Sequence, residues 1–357
     1  MRWLLYGACV ATALVSLNNI FAFYSSLSEA FTFALQPGLA YEFVKYVSRN
    51  SMEAGAVSVP SLLGVVLTAL TFTKYYVAIF AILYWRQLRA FDRVLVVCTA
   101  AIYIFQSFAI GAMVNVGSLL VASSPVILLL MSRRQGRSDL GRRLRSPGAR
   151  IRAVLITGVG VATMLYFLGS RGVFLSESGM ALSPLVSGLL GMVFYLSHGY
   201  VGLSYCLELP FVFTWGHTSF RGLAGIVLPY LGAANRWADS YLARSETTFG
   251  WSALQVWSTV FPWLASDMTF WLVPLVFLVV GVSMKRAWVR GIVTANPFAL
   301  AFVGQLLIFC MMIPANNQLF NTFGNSVATL VIWVAYRLSL KRRTRRDAPV
   351  DSSVAGS

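Results

Sequence analysis

Residues 195–221 read YLSHGYVGLSYCLELPFVFTWGHTSFR and stand apart from the apolar stretches around them. They contain both histidines of the chain, His198 and His217, and one carboxylate, Glu208. The stretch is apolar enough to lie at a membrane, yet it carries Tyr, Trp, Ser, His and Gly where a plain span would carry Leu and Val. We therefore predict that it forms the floor of a site at one membrane face, with the flanking helices as its scaffold.

The composition is that of an integral membrane protein. Apolar residues make up 58% of the sequence and charged residues only 11%, whereas a soluble protein carries about 25% charged residues. Several apolar runs have roughly the twenty residues that a helix needs to cross a ~30 Å hydrocarbon core. They lack the period-two alternation of barrel strands. We predict an all-α polytopic membrane protein with about eight transmembrane helices.

The sequence contains no pattern that is typical of a metal or nucleotide site. The four cysteines are scattered through apolar segments and form no CxxC pair, so neither a disulfide framework nor a zinc site is predicted. Walker, HExxH and strand-linked GxGxxG motifs are absent from the sequence. We predict no cofactor and no bound metal.

The formal net charge of +16 has a placement that indicates membrane topology. Basic residues concentrate at Arg86–Arg93, at 133–152 and in KRRTRR at 341–346. Such clusters between apolar runs mark cytoplasmic connections and contact anionic lipid head groups. We therefore predict that both termini are cytoplasmic, and we do not predict nucleic-acid binding.

The predicted crossings leave a large external region in the middle of the chain. They fall at about 4–24, 60–84, 93–111, 115–131, 153–169, 270–284, 293–313 and 322–338. We predict that residues 1–340 form one membrane domain with a periplasmic loop at 170–268, followed by a basic, disordered cytoplasmic tail at 341–357.

Two apolar pieces of this loop, 183–206 and 222–233, leave an alternative open. A crossing pair would place 207–221 in the cytoplasm, where only Arg221 would hold it. We favour re-entrant or surface-lying helices, because irregular backbone at membrane depth occurs where protein or a water-filled cavity surrounds it.

Candidates for proton transfer are His217 and Glu208. His217 lies between Gly216 and Thr218, and imidazole accepts protons near neutral pH. Its alternative role is a hydrogen bond to the backbone. Glu208 is the substitute base, since an apolar setting raises a carboxyl pKa. For His198, beside Gly199, we predict a packed structural role.

The predicted ligand contacts involve external arginines, which the positive-inside rule does not explain. They also involve aromatic residues of the same region. Four arginines are candidates for gripping a diphosphate, or else serve as interfacial anchors: Arg49, Arg171, Arg221 and Arg236. Asp267 is predicted to orient an arginine or a sugar. Tyr200 and Trp215 are candidates for stacking on sugars, although an interfacial aromatic belt explains most tryptophans of this region. Lys74, near the middle of a span, either snorkels or lines a pore, or contacts a phosphate or sugar.

A family resemblance rests on five segments. The run LSHGYVGLSYCLELPFVFTWGHTSF (196–220) resembles the most distinctive segment of the bacterial oligosaccharide repeat-unit polymerases, which include the O-antigen polymerases. Four shorter segments are similar as well: YEFVKYVSRNS (41–51), GSRG (169–172), FPWLASDMTFW (261–271) and PANNQLF (314–320). One departure is that the turn here reads Gly216-His217-Thr218-Ser219, where the family has a Gly-His-Ser-like turn.

The resemblance implies a glycosyltransferase with a GT-C-like scaffold in the bacterial inner membrane. It would transfer a growing glycan from undecaprenyl diphosphate to the next lipid-linked repeat unit at the periplasmic face. The implied partners are undecaprenyl-diphosphate-linked oligosaccharides and membrane lipids, with a chain-length regulator and a flippase beside them. Two alternatives stay open. A ligase-like enzyme would differ in its acceptor, and a flippase or exporter would carry polar residues along several spans.

Overall fold

The computed structural model describes residues 2–53, 62–112, 114–135, 183–252 and 258–346, together with positions 165 and 169. Within these residues every regular element is a helix, which confirms the prediction of an all-helical protein. The α-helices are α1 Arg2–Phe21, α2 Leu27–Ala34, α3 Pro37–Glu53, α4 Leu62–Ala69, α5 Thr73–Tyr84, α6 Ala90–Ala109, α7 Val114–Gln135, α8 Pro184–Leu207, α9 Arg221–Tyr230, α10 Tyr241–Phe249, α11 Val260–Met268, α12 Val273–Thr294, α13 Pro297–Met311 and α14 Phe323–Arg346.

Seven helical segments in the described residues are long and apolar enough to cross a membrane: Arg2–Phe21, Leu62–Gln87, Ala90–Ala109, Val114–Met131, Leu185–Leu207, Phe270–Thr294 and Phe323–Leu340. Short 3₁₀ turns join α4 to α5 and precede α12. The predicted crossing at 293–313 corresponds to α13, which is apolar but has only 15 residues. The predicted crossing at 153–169 lies almost entirely outside the described residues.

The two apolar pieces in the middle of the chain form helices of different length, and whether either crosses the membrane stays a prediction. The piece predicted as re-entrant or surface-lying at 183–206 is a continuous helix, α8, of 24 residues. Its length and composition suffice for a full crossing. Two of its glycines, Gly188 and Gly199, lie at close approaches to the backbone of Leu165 and Pro314. The second piece, 222–233, forms the ten-residue α9, which is about 15 Å long and too short to cross.

Helix α13 lies at the centre of the bundle. Ten of its residues are buried, and it packs against α5, α7, α12 and α14. A Cβ atom placed on Gly304 would lie 2.4 Å from the carbonyl oxygen of Ala122 in α7. Small residues let membrane helices approach this closely. Asn296 begins the helix by accepting the N–H groups of Phe298 and Ala299.

The bundle has two chemically different ends. At the end that we call the basic end, Asp92 accepts the hydroxyl of Tyr6 at 2.5 Å and lies 3.7 Å from the Arg2 guanidinium. Lys285 and Arg290 lie in the C-terminal half of α12, which ends on this side. The opposite end, the loop end, contains the C-terminus of α1, the N-terminus of α7 and the connection at 312–322 between α13 and α14.

Part of the predicted disordered tail is helical. The basic run at 341–346 continues α14 to Arg346. Lys and Arg have good helix propensity, so a span can extend into such a run without a break. Residues 347–357 lie outside the described residues.

Candidate functional site

The segment 214–219 wraps around the carboxylate of Asp267, which is buried at the end of α11. One carboxylate oxygen accepts the N–H of Gly216 at 2.7 Å and also the hydroxyl of Thr214. The other oxygen accepts the N–H of Ser219 at 2.6 Å. Such charge-assisted hydrogen bonds are among the stronger ones in proteins. Among the described residues Asp267 therefore holds this turn, and it has no arginine partner of the kind that we predicted.

The same turn carries strained backbone. Trp215 has φ 57° and Gly216 has φ 84°, so two successive residues adopt the left-handed region. On the other side of Asp267, Thr269 has φ 72° and ψ 156°. Each such non-glycine conformation costs about 1–3 kcal/mol and persists where the surroundings over-determine it. The three hydrogen bonds of Asp267 provide that constraint for the turn at Trp215 and Gly216, and such strain is concentrated at functional sites.

The connection at 312–322 fixes the turn to the membrane helices. The side-chain amide of Asn317 donates to the carbonyl oxygen of Ser219 at 2.7 Å. The N–H of Gly222 donates to the carbonyl oxygen of Phe320 at 2.8 Å. Gly222 lies so close to the backbone of the connection that a Cβ there would be 2.1 Å from the carbonyl carbon of Thr322.

The connection also contacts α8. A Cβ on Gly199 would lie 1.9 Å from the carbonyl oxygen of Pro314. This glycine is required for close packing, which accounts for the His198-Gly199 pair without any chemistry. His198 is buried, as predicted, and its Nδ1 lies 2.7 Å from the carbonyl oxygen of Phe194.

His217 is buried and its ring orientation is set by one hydrogen bond. Its Nδ1 accepts the backbone N–H of Arg236 at 3.0 Å. Because a neutral imidazole carries its proton on the other nitrogen, Nε2 is a donor in this arrangement. The geometry favours donation to a ligand over the predicted role as a base. To accept a proton on Nε2, the ring would have to place its existing proton on Nδ1 and lose the bond from Arg236.

The side chain of Glu208, unlike that of His217, is not held by a hydrogen bond to any described residue. It caps the C-terminus of α8 and is exposed. Among the described residues its carboxylate has no hydrogen-bond or ionic partner. Tyr200 and Trp215, the predicted sugar-contacting residues, expose 52% and 69% of their surfaces. The Trp215 ring lies 4.7 Å from that of Phe213, so an exposed aromatic surface continues along the segment.

The predicted arginines have different environments. The Arg221 guanidinium lies over the Trp237 ring at 4.2 Å, and burial lowers its pKa. Arg236 has an exposed side chain, while its backbone binds His217. Arg171 lies outside the described residues. Arg49 belongs to α3, and its side chain is not among those described.

One arginine that we did not select has a structural role. Arg244 donates through Nη2 to the carbonyl oxygen of Pro210 at 2.8 Å and through Nε to that of Asp239 at 3.0 Å. It therefore ties the segment after Glu208 to the start of α10.

The structure contains a polar cavity of about 470 Å³ at the loop end, of which the sequence indicated only Lys74. Lys74 lies in its wall and is buried. Other lining residues are Thr12, Ser16, Asn19, Thr68, Thr71, Thr73, Tyr103, Gln106, Asn115, Asn316, Gln318, Asn321, Thr322 and Asn325. A signal was present: Thr12, Ser16 and Asn19 have the spacing of one helix face, so a polar stripe could have been predicted on α1.

The structure and the sequence comparisons give no family assignment. Among the described residues, no three His, Cys, Asp or Glu side chains are grouped as metal ligands. No family model matches the chain, and no curated protein or solved structure shows significant similarity to it.

Proposed function

We propose that the protein polymerises lipid-linked oligosaccharide repeat units. One observation supports this function best: the Asp267-anchored turn contains His217, whose proton is on Nε2, four positions along the chain before the stacked Arg221. A hydrogen-bond donor and a cation on a rigid support suit a reaction in which an anion departs. Exposed aromatic surfaces beside them suit sugar rings.

The proposed reaction forms one glycosidic bond and breaks one bond to phosphate. A hydroxyl oxygen of the incoming lipid-linked repeat unit attacks C1 of the sugar that carries the growing chain. The bond from C1 to the diphosphate oxygen breaks, and its electron pair leaves with undecaprenyl diphosphate. The hydroxyl proton passes to the unpaired carboxylate of Glu208, because His217 has no free lone pair on Nδ1.

The arginines stabilise the departing diphosphate in this proposal. Stacking on Trp237 covers a face of the Arg221 guanidinium, and the N–H groups along the edges of a planar guanidinium are the ones that bind phosphate. Its partial burial strengthens the attraction to an anion. Arg236 supplies a second, exposed cation. Preorganised charge of this kind is commonly the largest catalytic contribution, and Arg171 and Arg49 remain predicted members of the same site.

Export of a lipid-linked glycan is the second candidate, and the Lys74 cavity is the observation that favours it. A transport path needs polar surface across the full membrane thickness. The cavity is lined from α1 by Thr12, Val15, Ser16 and Asn19, which lie in its loop-end half. That one-sided lining supports a binding site more than a path. A ligase would use the same donor with a different acceptor.

A deletion strain distinguishes these functions. In this strain we expect surface glycan with single repeat units only. Adding back the wild-type gene should restore the ladder of longer glycan chains that is seen on a gel. Lipid-linked polymer that accumulates without reaching its final acceptor would indicate a ligase instead. Complete loss of surface glycan, with lipid-linked single repeats retained inside, would indicate an exporter.

A further inference from the structure

We propose that the polar cavity around Lys74 binds the phosphate head group of a membrane lipid whose hydrocarbon chain lies in an apolar groove between α1 and α5. The inference does not require glycosyl transfer. A lipid phosphate would bind in this way whether the protein polymerises, exports or ligates glycans. It concerns residues that lie apart from the Asp267-anchored turn.

Lys74 is a buried cation whose hydrogen-bonding neighbours, Tyr75 and Tyr103, are tyrosines and not carboxylates. Only 8% of its surface is exposed. Its Nζ lies 5.0 Å from the centre of the Tyr75 ring and 5.4 Å from that of Tyr103. No described residue that lines the cavity is Asp or Glu, and the ion pair of Arg2 with Asp92 lies at the basic end. A buried ammonium group is costly unless an anion compensates it, so the cavity is suited to an anionic ligand.

The lining supplies hydrogen-bonding groups for that ligand. Hydroxyl and amide side chains of α1, α4, α6 and the 312–322 connection surround the cavity. The Ser16 hydroxyl and the side-chain amide oxygen (Oδ1) of Asn316 are buried without a hydrogen-bond partner among the described residues. Buried polar groups are nearly always paired, so these two atoms indicate that a polar ligand or water completes the site.

An apolar groove of about 600 Å³ meets the polar cavity at Thr73, which lines both. The hydroxyls of Thr73 and Thr12 are hydrogen-bonded at 2.9 Å and join α5 to α1 at this boundary. From there the groove runs toward the basic end along apolar residues that include Leu4, Ala8, Ala11, Tyr76, Phe80 and Phe298. The 12 residues of α5 measure about 18 Å.

This arrangement matches a lipid phosphate better than a free anion. A cationic polar cavity at the loop end continues into an apolar groove that extends into the membrane interior. A soluble phosphate would use only the cavity and leave the groove unexplained. A lipid without a charged head group would use only the groove and leave Lys74 without a counter-charge.

Native mass spectrometry of the full-length protein in micelles tests the proposal with three probes. These are undecaprenyl phosphate, undecaprenol (the same chain without phosphate) and inorganic phosphate (the head group without a chain). We expect undecaprenyl phosphate to bind at least about tenfold more tightly than either, because the charge-assisted contacts and the groove both contribute. Equal binding of undecaprenol, or equal binding of inorganic phosphate, would overturn the proposal.

Matched variants localise the binding. Lys74→Gln should lower the affinity for undecaprenyl phosphate about tenfold or more, while Lys285→Gln, at an exposed basic-end lysine, should leave it unchanged. Should Lys74→Gln not yield folded protein, Asn19→Asp keeps the side-chain size and places a negative charge in the cavity. It should lower the affinity as well.

The groove is tested with Gly7→Leu. Gly7 lines the groove and has open space around its Cβ position, so the larger side chain fills the groove without a backbone clash. Reduced binding is expected. Unchanged binding of the lipid by Lys74→Gln, Asn19→Asp or Gly7→Leu would overturn the assignment. Because no turnover is measured, failure here would not bear on the proposed polymerase activity.

Discussion

The backbone N–H of Arg236 donates to Nδ1 of His217 at 3.0 Å. This bond joins the turn after α8 to the segment between α9 and α10. It also fixes the imidazole with Nε2–H as its available group. The histidine that the sequence marks as a base is thereby set as a donor, and Glu208 becomes the candidate base.

Two substitutions of His217 separate the roles of its two ring nitrogens. In His217→Asn the side-chain oxygen occupies a position near that of Nδ1 and keeps the bond from Arg236, but nothing replaces Nε2–H. We expect near wild-type thermal stability in detergent and loss of the polymer ladder. His217→Ala should lose thermal stability as well as the polymer ladder. A normal ladder in His217→Asn would remove Nε2 from the site.

Asp267→Asn tests whether the carboxylate holds the turn. An amide is nearly the same size but can no longer accept all three donors, and an unsatisfied buried donor costs about 1–3 kcal/mol. We expect lower thermal stability and little or no polymer. Asp239→Asn is the control, because Arg244 bonds the backbone carbonyl oxygen of that residue and not its side chain. Equal stability of the two variants would contradict the anchoring role.

Two glycines of α9 form a matched pair for the contact with the 312–322 connection. In Gly222→Ala the new Cβ meets the Thr322 backbone at 2.1 Å, so we expect destabilisation of at least about 1–3 kcal/mol. Gly225 has no atom within 4 Å of its Cβ position, and Gly225→Ala should be neutral or stabilising by about 0.5–1 kcal/mol. Thermal unfolding in detergent measures both. Tolerance of Gly222→Ala would show that the close approach is not required.

Cysteine labelling tests the predicted orientation. In a variant without the native cysteines, a membrane-impermeant maleimide should label Glu246→Cys on intact spheroplasts. Arg290→Cys, four residues before the end of α12, should react only after the membrane is opened. Both positions are exposed, so accessibility depends on the side of the membrane. The reverse pattern would invert the topology and place the candidate site in the cytoplasm.

Much of the fold could be predicted because its causes are local. Apolar runs near twenty residues long specify α1, α6 and α7 directly. Whether 183–206 crosses the membrane stays open in the sequence, and the packing of Gly199 in that helix depends on the Pro314 backbone. A residue 115 positions away is not visible in a local pattern.

The site could be predicted only in part, for a similar reason. Residue chemistry identified His217 and Asp267 as candidates. Their roles depend on partners such as Arg236 and Gly216 that are brought together by tertiary structure. The Lys74 cavity is built from four separate parts of the chain, so only Lys74 itself and the α1 stripe left a signal in the sequence.

The most direct test of the central claim is reconstitution of the purified protein in liposomes with lipid-linked single repeat units as the sole glycan. We predict lipid-linked dimers and longer oligomers by mass spectrometry, with one undecaprenyl diphosphate released for each bond formed. Glu208→Gln should abolish elongation. Lipid-linked single repeats that remain unchanged with folded wild-type protein, or that merely cross the bilayer without elongation, would contradict the account.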